Sequence, residues 1–271
     1  MRHWIGPHLV CDGDNRDHLR RLRAALFRLA LLDPPYNKSI AYGEHYDDDL
    51  PDGQYLADMA EMLAAVHRVL TADGSAFLFC DVYYLADLIL SAKAVGFHLN
   101  TVIPWHYPFG VHLTTRLTPS WTPVVWLNKD PGRFVFNRDA VKVPSMRELK
   151  YNDRRAKPGG RTPANVWALD PAAYEGQLYR PDGDCWHVPR LCGTHKERVP
   201  GLPTQLPLAL VRRILAMSSD PGDAVLDPYL GSGTTLVAAH QLGRRGVGIE
   251  LSPDTADTAA RRLEAEMAEA G

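Results

Sequence analysis

At 271 residues, 45% hydrophobic and 23% charged, the chain has enough apolar side chain for one large α/β domain with insertions, or for two small domains. No apolar run approaches the roughly 18 residues of a membrane span, and Met1-Arg2-His3-Trp4 starts no signal-peptide pattern. The four cysteines form no C-x-x-C pair, so a reduced, cytoplasmic chain is expected, and the net charge of −2 gives no sign of a protein that coats nucleic acid.

Leucines at 19, 22 and 26 predict a helix over Asp17–Phe27, and the apolar run Leu29–Leu32 that follows stops at Asp33-Pro34-Pro35. No helix continues through two prolines, so that run reads as a buried strand ending in a loop. The Asp47-Asp48-Asp49 run contributes to the acidity of the chain outside its basic stretch. Gln54–Leu70 is strongly amphipathic, with Leu56, Met59, Met62, Leu63, Val66 and Leu70 on one face. Ser75–Cys80 reads as a buried strand, Tyr84–Val95 as a helix and Leu99–Trp105 as a strand. Between Pro108 and Gly201 prolines interrupt the pattern repeatedly, which predicts a loop-rich insertion with Pro123–Asn128 its clearest strand. Order returns with a helix over Pro207–Met217, a strand at Ala224–Leu226, a helix over Gly231–Leu242, a strand at Gly246–Glu250 and a last helix over Asp254–Ala268. Strands alternating with helices at both ends predict a Rossmann-like α/β fold: a mostly parallel sheet with helices on both faces.

Two segments carry chemistry. The first, Val225-Leu226-Asp227-Pro228-Tyr229-Leu230-Gly231-Ser232-Gly233-Thr234-Thr235, places an acid at a strand end, then a glycine turn, then a helix start. Glycines let backbone approach a ligand, and the helix start offers free N–H groups, as a nucleotide-like cofactor needs at the carboxyl end of a parallel sheet. Glu250 ends the next strand, where an acid can accept ribose hydroxyls. The segment lacks both G-x-G-x-x-G and G-K-[ST], so neither a nicotinamide nor a P-loop phosphate site is supported.

The second segment is Asp33-Pro34-Pro35-Tyr36. An aromatic amine is a poor nucleophile because its lone pair is delocalised into the ring. Acceptors that hold its N–H bonds let the nitrogen pyramidalise. Asp33 offers a carboxylate, the Pro34 carbonyl is held extended by the proline after it, and Tyr36 offers a ring face on which an extruded base can stack. The prolines stiffen the loop, so the acceptors are preorganised.

Together these segments resemble the beta-group amino DNA methyltransferases, whose cofactor half reads close to D-P-F-x-G-S-G-T-T followed by L-G-R-x-x-x-G-I-E. Here Asp227–Thr235 and Gly243-Arg244-Arg245-Gly246-Val247-Gly248-Ile249-Glu250 take those places, and the D-P-P-Y segment precedes them, the circularly permuted order of that group. The resemblance is strong over residues 8–107 and 195–265 and loose between. It implies an S-adenosylmethionine-dependent methyltransferase fold with a catalytic half (1–107), a divergent insertion for target recognition (108–200) and a cofactor half (201–271). It also implies roles for the residues. Asp33, Pro34, Pro35 and Tyr36 would be catalytic. Asp14, Asp33, Thr204, Gln205, Asp227, Tyr229, Gly231, Ser232, Gly233, Thr234, Thr235 and Glu250 would line the cofactor site. Gly13-Asp14 matches the family segment before the catalytic strand, and Leu202-Pro203-Thr204-Gln205-Leu206-Pro207 is similar to H-P-T-Q-K-P at the methionine end of the cofactor. The chain departs from the pattern at Leu202 (usually His), Leu206 (usually Lys) and Thr255 (usually Tyr). Adenine enzymes of the family usually carry Asp at the first tetrapeptide position and cytosine enzymes Ser, so Asp33 implies N6-adenine over N4-cytosine.

Between Pro131 and Asn165 nine Lys/Arg face three acids, interleaved with aromatics. Such a stretch suits double-stranded DNA, with Arg147, Lys150, Arg154, Arg155 and Lys157 as candidate phosphate contacts. A homodimer is left open, and so is a part in restriction–modification. Cys185, His187, Cys192 and His195 are too cramped and too close to cations for a zinc site, so no metal is expected. Two alternatives stand beside DNA: a same-fold enzyme acting on RNA or protein, where Asn commonly replaces the Asp, and an inactive DNA-binding subunit, against which both intact segments argue.

Overall fold

The computed structural model describes residues 2–42, 45–107, 114–115, 117, 119–143, 153–155, 160–165, 167–168, 191 and 195–269. Among them nine strands form one sheet. They are β1 (Arg2–Ile5), β2 (His8–Asp12), β3 (Phe27–Leu32), β4 (Leu70–Phe79), β5 (His98–His106), β6 (Trp121–Asn128), β7 (Trp167–Ala168), β8 (Ala224–Asp227) and β9 (Arg245–Glu250). Their order across the sheet is β1-β2-β9-β8-β3-β4-β6-β5-β7. The run β2-β9-β8-β3-β4 is parallel, β7 joins β5 in parallel, and β1 and β6 pair antiparallel with their neighbours. The expected mostly parallel sheet is present.

The period-2 geometry of β3 and β4 divides the core in two. Leu29, Leu31, Phe77 and Phe79 face one side, where α4 (Leu208–Ser218) covers them with Leu210, Val211, Ile214 and Leu215. Ala30, Leu32, Ala76 and Leu78 face the other, under α2 (Asp52–Val69) and α3 (Leu85–Ala94). Burying each large apolar side chain contributes about 1.5–3 kcal/mol, which is why central strands read as unbroken apolar runs. A third cluster joins Ile5 and Val10 to α5 (Thr234–Gln241) and α6 (Pro253–Glu269) through Leu236, Val237, Ala256 and Leu263.

Several expectations need correction. The first helix, α1, is only Asn15–Arg21. Arg68 on α2 donates to the carbonyls of Leu19 (2.6 Å) and Leu22 (2.8 Å), ending the helix, and Ala25 takes φ +57° before β3 begins. Leucines 19, 22 and 26 therefore do not form one helical face. β4 starts at Leu70, directly after α2, and Lys129 Nζ donates to the His67 carbonyl in the last turn of that helix (2.7 Å) and to the Leu70 carbonyl at the start of the strand (2.8 Å). The helix expected from Gly231 begins at Thr234, because Gly231 and Gly233 sit at φ +51° and +80°. The β1–β2 hairpin was not expected. Trp121–Asn128, read as part of the insertion, is a sheet strand between β4 and β5, with Phe77 stacked on Trp126 at 5.3 Å.

Candidate active site

The carboxyl ends of β2, β9, β8 and β3 lie side by side and each delivers an acid: Asp12 with Asp14 just beyond it, Glu250, Asp227 and Asp33. Chain leaving β8 returns through α5 to β9 on one side, and chain leaving β3 returns through α2 to β4 on the other. The crevice between β8 and β3 is thus a topological switch point, where open α/β sheets bind ligands. Asp227 and Asp33 flank it.

Asp227 is 3% exposed; its Oδ1 accepts the Tyr229 N–H at 2.9 Å and its side chain also bonds Thr235. Burial pushes its carboxyl up to about 7, helped by the like charges of Asp33 and Glu250 and opposed by those two hydrogen bonds. Asp33 is pushed up to about 6 by burial, against the Tyr36 hydroxyl, which donates to Oδ1 at 2.5 Å. Pro34 is buried, and the Tyr55 hydroxyl donates to the Pro35 carbonyl at 3.2 Å, holding the rigid turn from behind.

In the glycine turn, Gly231 donates its N–H to Glu250 Oε2 at 2.9 Å, and Ser252 donates to Oε1 at 3.0 Å. A side chain at Gly231 would meet only Tyr229 O, at 3.9 Å, so the turn borders open space there. Gly233 is the opposite case: a Cβ would stand 3.0 Å from Ala259 Cβ, so glycine lets α6 pack onto the turn. Asp14 caps α1, accepting the Arg16 N–H at 2.8 Å, and an ion pair with Arg16 at 3.3 Å joins it. Burial raises the Asp14 carboxyl, but Arg16 outweighs it and holds it below its ordinary range.

Further expected cofactor contacts are also engaged within the protein. Ser232 Oγ and Thr234 Oγ1 both accept from Arg262 Nη1, at 3.1 and 2.9 Å, so these side chains bond back to α6. Gln205 accepts the Val199 N–H and donates to Glu197 O, both at 2.8 Å, which ties its amide to the preceding loop. Thr204 is exposed and bonds Tyr42. Sequence reasoning missed Arg262, which staples the glycine turn, and Glu197, whose carboxylate accepts Leu208 N–H at 2.6 Å at the start of α4. It also missed Asn15, which donates to Pro228 O at 2.9 Å. Each sits far in sequence from the group it holds, so no local pattern announces it.

Of the candidate DNA contacts, Arg154 and Arg155 are exposed, and Arg155 pairs with Asp153 at 2.8 Å. Arg147, Lys150 and Lys157, with Tyr151, Cys185, His187 and Cys192, lie outside the described residues. Trp126 is a core residue, and Phe134 and Phe136 pack on its ring at 5.8 Å each, so these aromatics are engaged in packing. No helix of the described residues is long and apolar enough to cross a membrane.

The chain is similar to known proteins over nearly its whole length. The chain is 31% identical over 264 residues to the type II methyltransferase M.HpaI of Haemophilus parainfluenzae, covering 97% of this chain and 76% of that protein. It is 30% identical over 259 residues to the DNA adenine methyltransferase YhdJ of Escherichia coli (strain K12), covering 94% and 82%. Among solved structures, the putative DNA modification methylase TTHA0409 of Thermus thermophilus, complexed with S-adenosyl-L-methionine, superposes with a TM-score of 0.62 at 22% identity, covering 96% of this chain and 93% of that one. The cytosine-N4-specific PvuII DNA methyltransferase superposes with a TM-score of 0.67 at 16% identity, covering 94% and 86%. Residues 27–261 match the family model described as DNA methylase, which spans the switch-point acids and the glycine turn alike, and the chain belongs to that family.

Proposed function

We propose that this chain transfers the methyl group of S-adenosylmethionine to the exocyclic amine of a base in double-stranded DNA, at N6 of adenine. The observation that carries the reading is the pair Asp33 and Asp227 on neighbouring strand ends, one opening a rigid proline turn and the other a glycine turn. The cleft's residues fit the cofactor. Glu250 presents a carboxylate beside the glycine turn, Gly231 leaves open space, and the acids suit a donor that carries a sulfonium charge. When bound, the cofactor supplies an electrophilic methyl group.

Everything else falls to the chain's own side chains. Asp33 and the Pro34 carbonyl accept the amine's N–H groups, which concentrates the lone pair on the nitrogen that would take the methyl group from the bound cofactor. The proton that this nitrogen then sheds would pass to Asp33, its hydrogen-bond acceptor, and on to solvent. The Tyr36 hydroxyl, bonded to Asp33 Oδ1, yields that position to the incoming amine, which frees the ring to stack. Asp33 offers both oxygens as acceptors only as carboxylate, and its raised pKa makes it a stronger acceptor near neutral pH. The described residues place no part of 129–200 within the sheet except β7, which leaves that stretch to read the target sequence, with Arg154 and Arg155 meeting phosphates.

The test offers labelled cofactor with DNA, RNA and protein, followed by nucleoside mass spectrometry. N6-methyladenine in DNA is expected. Label in RNA or protein alone overturns the substrate, and N4-methylcytosine alone overturns the choice of base.

A further inference from the structure

The Asp47-Asp48-Asp49 run contributes to the acidity of the chain, yet its middle member is turned inward and is 2% exposed. Its Oδ1 accepts the N–H of Asn37 at 2.8 Å, and its Oδ2 accepts the N–H groups of Lys38 and Ile40 at 3.0 Å each. The Asp48 carbonyl takes the Ser39 N–H at 2.7 Å. Asn37 and Ser39 are both left-handed, at φ +56°, so the N–H groups of this run converge. Successive amides in that arrangement form a nest, a concavity that binds anions. Here the anion comes from the chain itself.

The nest begins at the residue after Tyr36. Asn37 closes the same loop at its far end, accepting Leu50 N–H at 2.7 Å and donating to Leu50 O at 2.8 Å and to the Tyr84 hydroxyl at 2.9 Å. The loop so drawn together carries Tyr42 and Tyr46, whose rings meet edge to face at 6.4 Å. Tyr42 bonds Thr204, and burial pushes its phenol up to about 12, helped by the charges of Asp33 and Asp48 and opposed by the Thr204 bond. The loop also borders an open surface cavity of about 400 Å³, lined by the exposed residues Ser39, Ala41, Asp47 and Asp49 together with Ile40, Tyr46 and Asp48.

We propose that Asp48 is a positioning residue: its carboxylate, seated in the nest of amides 37, 38 and 40, holds the loop that follows Tyr36 and sets Tyr42 against Thr204. The inference rests on the methyl-transfer reading of the site. Emptying the nest leaves converging N–H groups without an acceptor and lets the loop swing off Thr204.

Asp48→Ala is expected to weaken S-adenosylmethionine binding and to slow methyl transfer to DNA, each by at least about tenfold, the effect of one buried acceptor on converging donors. Added formate, a free carboxylate of the right size, should restore both. Asp48→Asn, which fills the nest but turns an NH₂ toward N–H donors, should show the loss with no response to formate. Should Asp48→Ala aggregate, Asp48→Ser carries the same titration. Cofactor affinity is measured by calorimetry without DNA, so the two ideas separate. Wild-type protein that transfers nothing to DNA, with a formate-reversible loss of cofactor affinity in Asp48→Ala, sinks the substrate reading and supports the loop. Wild-type protein active on DNA, with Asp48→Ala unchanged in both measurements, overturns the proposal alone. A loss that formate does not reverse, accompanied by a lowered thermal midpoint, shows a merely structural acid and also overturns it.

Discussion

Asp33→Asn separates catalysis from stability, because the two should move in opposite directions. The substitution keeps the side chain's shape but removes the charge, leaves a single acceptor and points an NH₂ toward Tyr36 or an incoming amine. Losing a preorganised charged acceptor costs on the order of 3–4 kcal/mol in the transition state, so turnover should fall at least about a hundredfold. Stability runs the other way. The carboxyl is raised to about 6 in the folded protein, against about 3.9 in an unfolded chain. Between those values the folded state holds the extra proton. Asp33's contribution to stability is therefore fully present below about pH 4 and lost as pH rises through about 6, after which the buried charge is a standing cost. The shift of about two units corresponds to about 3 kcal/mol, and water at the half-buried site reduces it to about 1–3 kcal/mol. Asp33→Asn should therefore melt a few degrees above the wild type at pH 8, by an advantage that shrinks toward pH 5, and wild-type turnover should decline as pH drops below about 6. Labelled-methyl transfer and thermal melts at both pH values measure this. Near-normal turnover, or lost turnover together with a lower melting temperature at pH 8, would refute the reasoning.

Three further outcomes are expected. Gly231→Val, at φ +51° and facing open space, and Glu250→Ala should each weaken cofactor binding in calorimetry; unchanged affinity in both removes the glycine turn from the site. Arg154→Ala with Arg155→Ala should weaken binding to many DNA sequences alike and flatten the slope of log affinity against log salt by about one rather than two, because Asp153 already neutralises part of Arg155. An unchanged slope assigns both arginines elsewhere. His8 is fully buried, accepts the Gly246 N–H at 3.1 Å, and is pushed down to about 4 by burial and by His240. Its contribution is therefore complete above about pH 6.5 and lost as pH falls toward 4, up to about 3 kcal/mol. His8→Gln should flatten the melting temperature against pH in that window, and a retained slope dismisses the histidine.

The parts of the site that were legible in the sequence are those where the backbone itself is constrained. Two prolines after an apolar run, and two glycines between a strand and a helix, leave few conformations, so Asp33–Tyr36 and Asp227–Thr235 could be placed at strand ends before any geometry was known. Side-chain direction was not legible. Ser232, Thr234 and Gln205 look like ligand contacts in a motif, yet Arg262 and the loop at 197–199 take up their polar atoms. Sheet adjacency was not legible either. β6 reads as an island in an irregular stretch because its partners, β4 and β5, were completed before it in the chain. The hairpin β1–β2 has strands of four and five residues, too short for an alternating pattern to stand out. Burial decided the rest: nothing in Asp47-Asp48-Asp49 says that the middle acid alone leaves water.

The permuted order of the two segments follows from the same geometry. A reaction between a cofactor and a base needs the ends of β8 and β3 side by side, and the ladder between Leu29–Ala30 and Val225–Leu226 supplies that contact without any nearby covalent link. Each end then owes its conformation to the turn that follows it, proline-stiffened after β3 and glycine-folded after β8. The chain between the two can be long, short or rearranged, provided both strands enter the sheet in parallel. Bringing the two ends together also forces two carboxylates, Asp33 and Asp227, into one crevice with Glu250 beside them, and the charges of Asp33 and Glu250 add to the burial that raises Asp227's cost of ionising. A cationic methyl donor is a ligand that would relieve this repulsion. On the proposed reading, the acid crowding around Asp227 thus suits the crevice to such a cofactor.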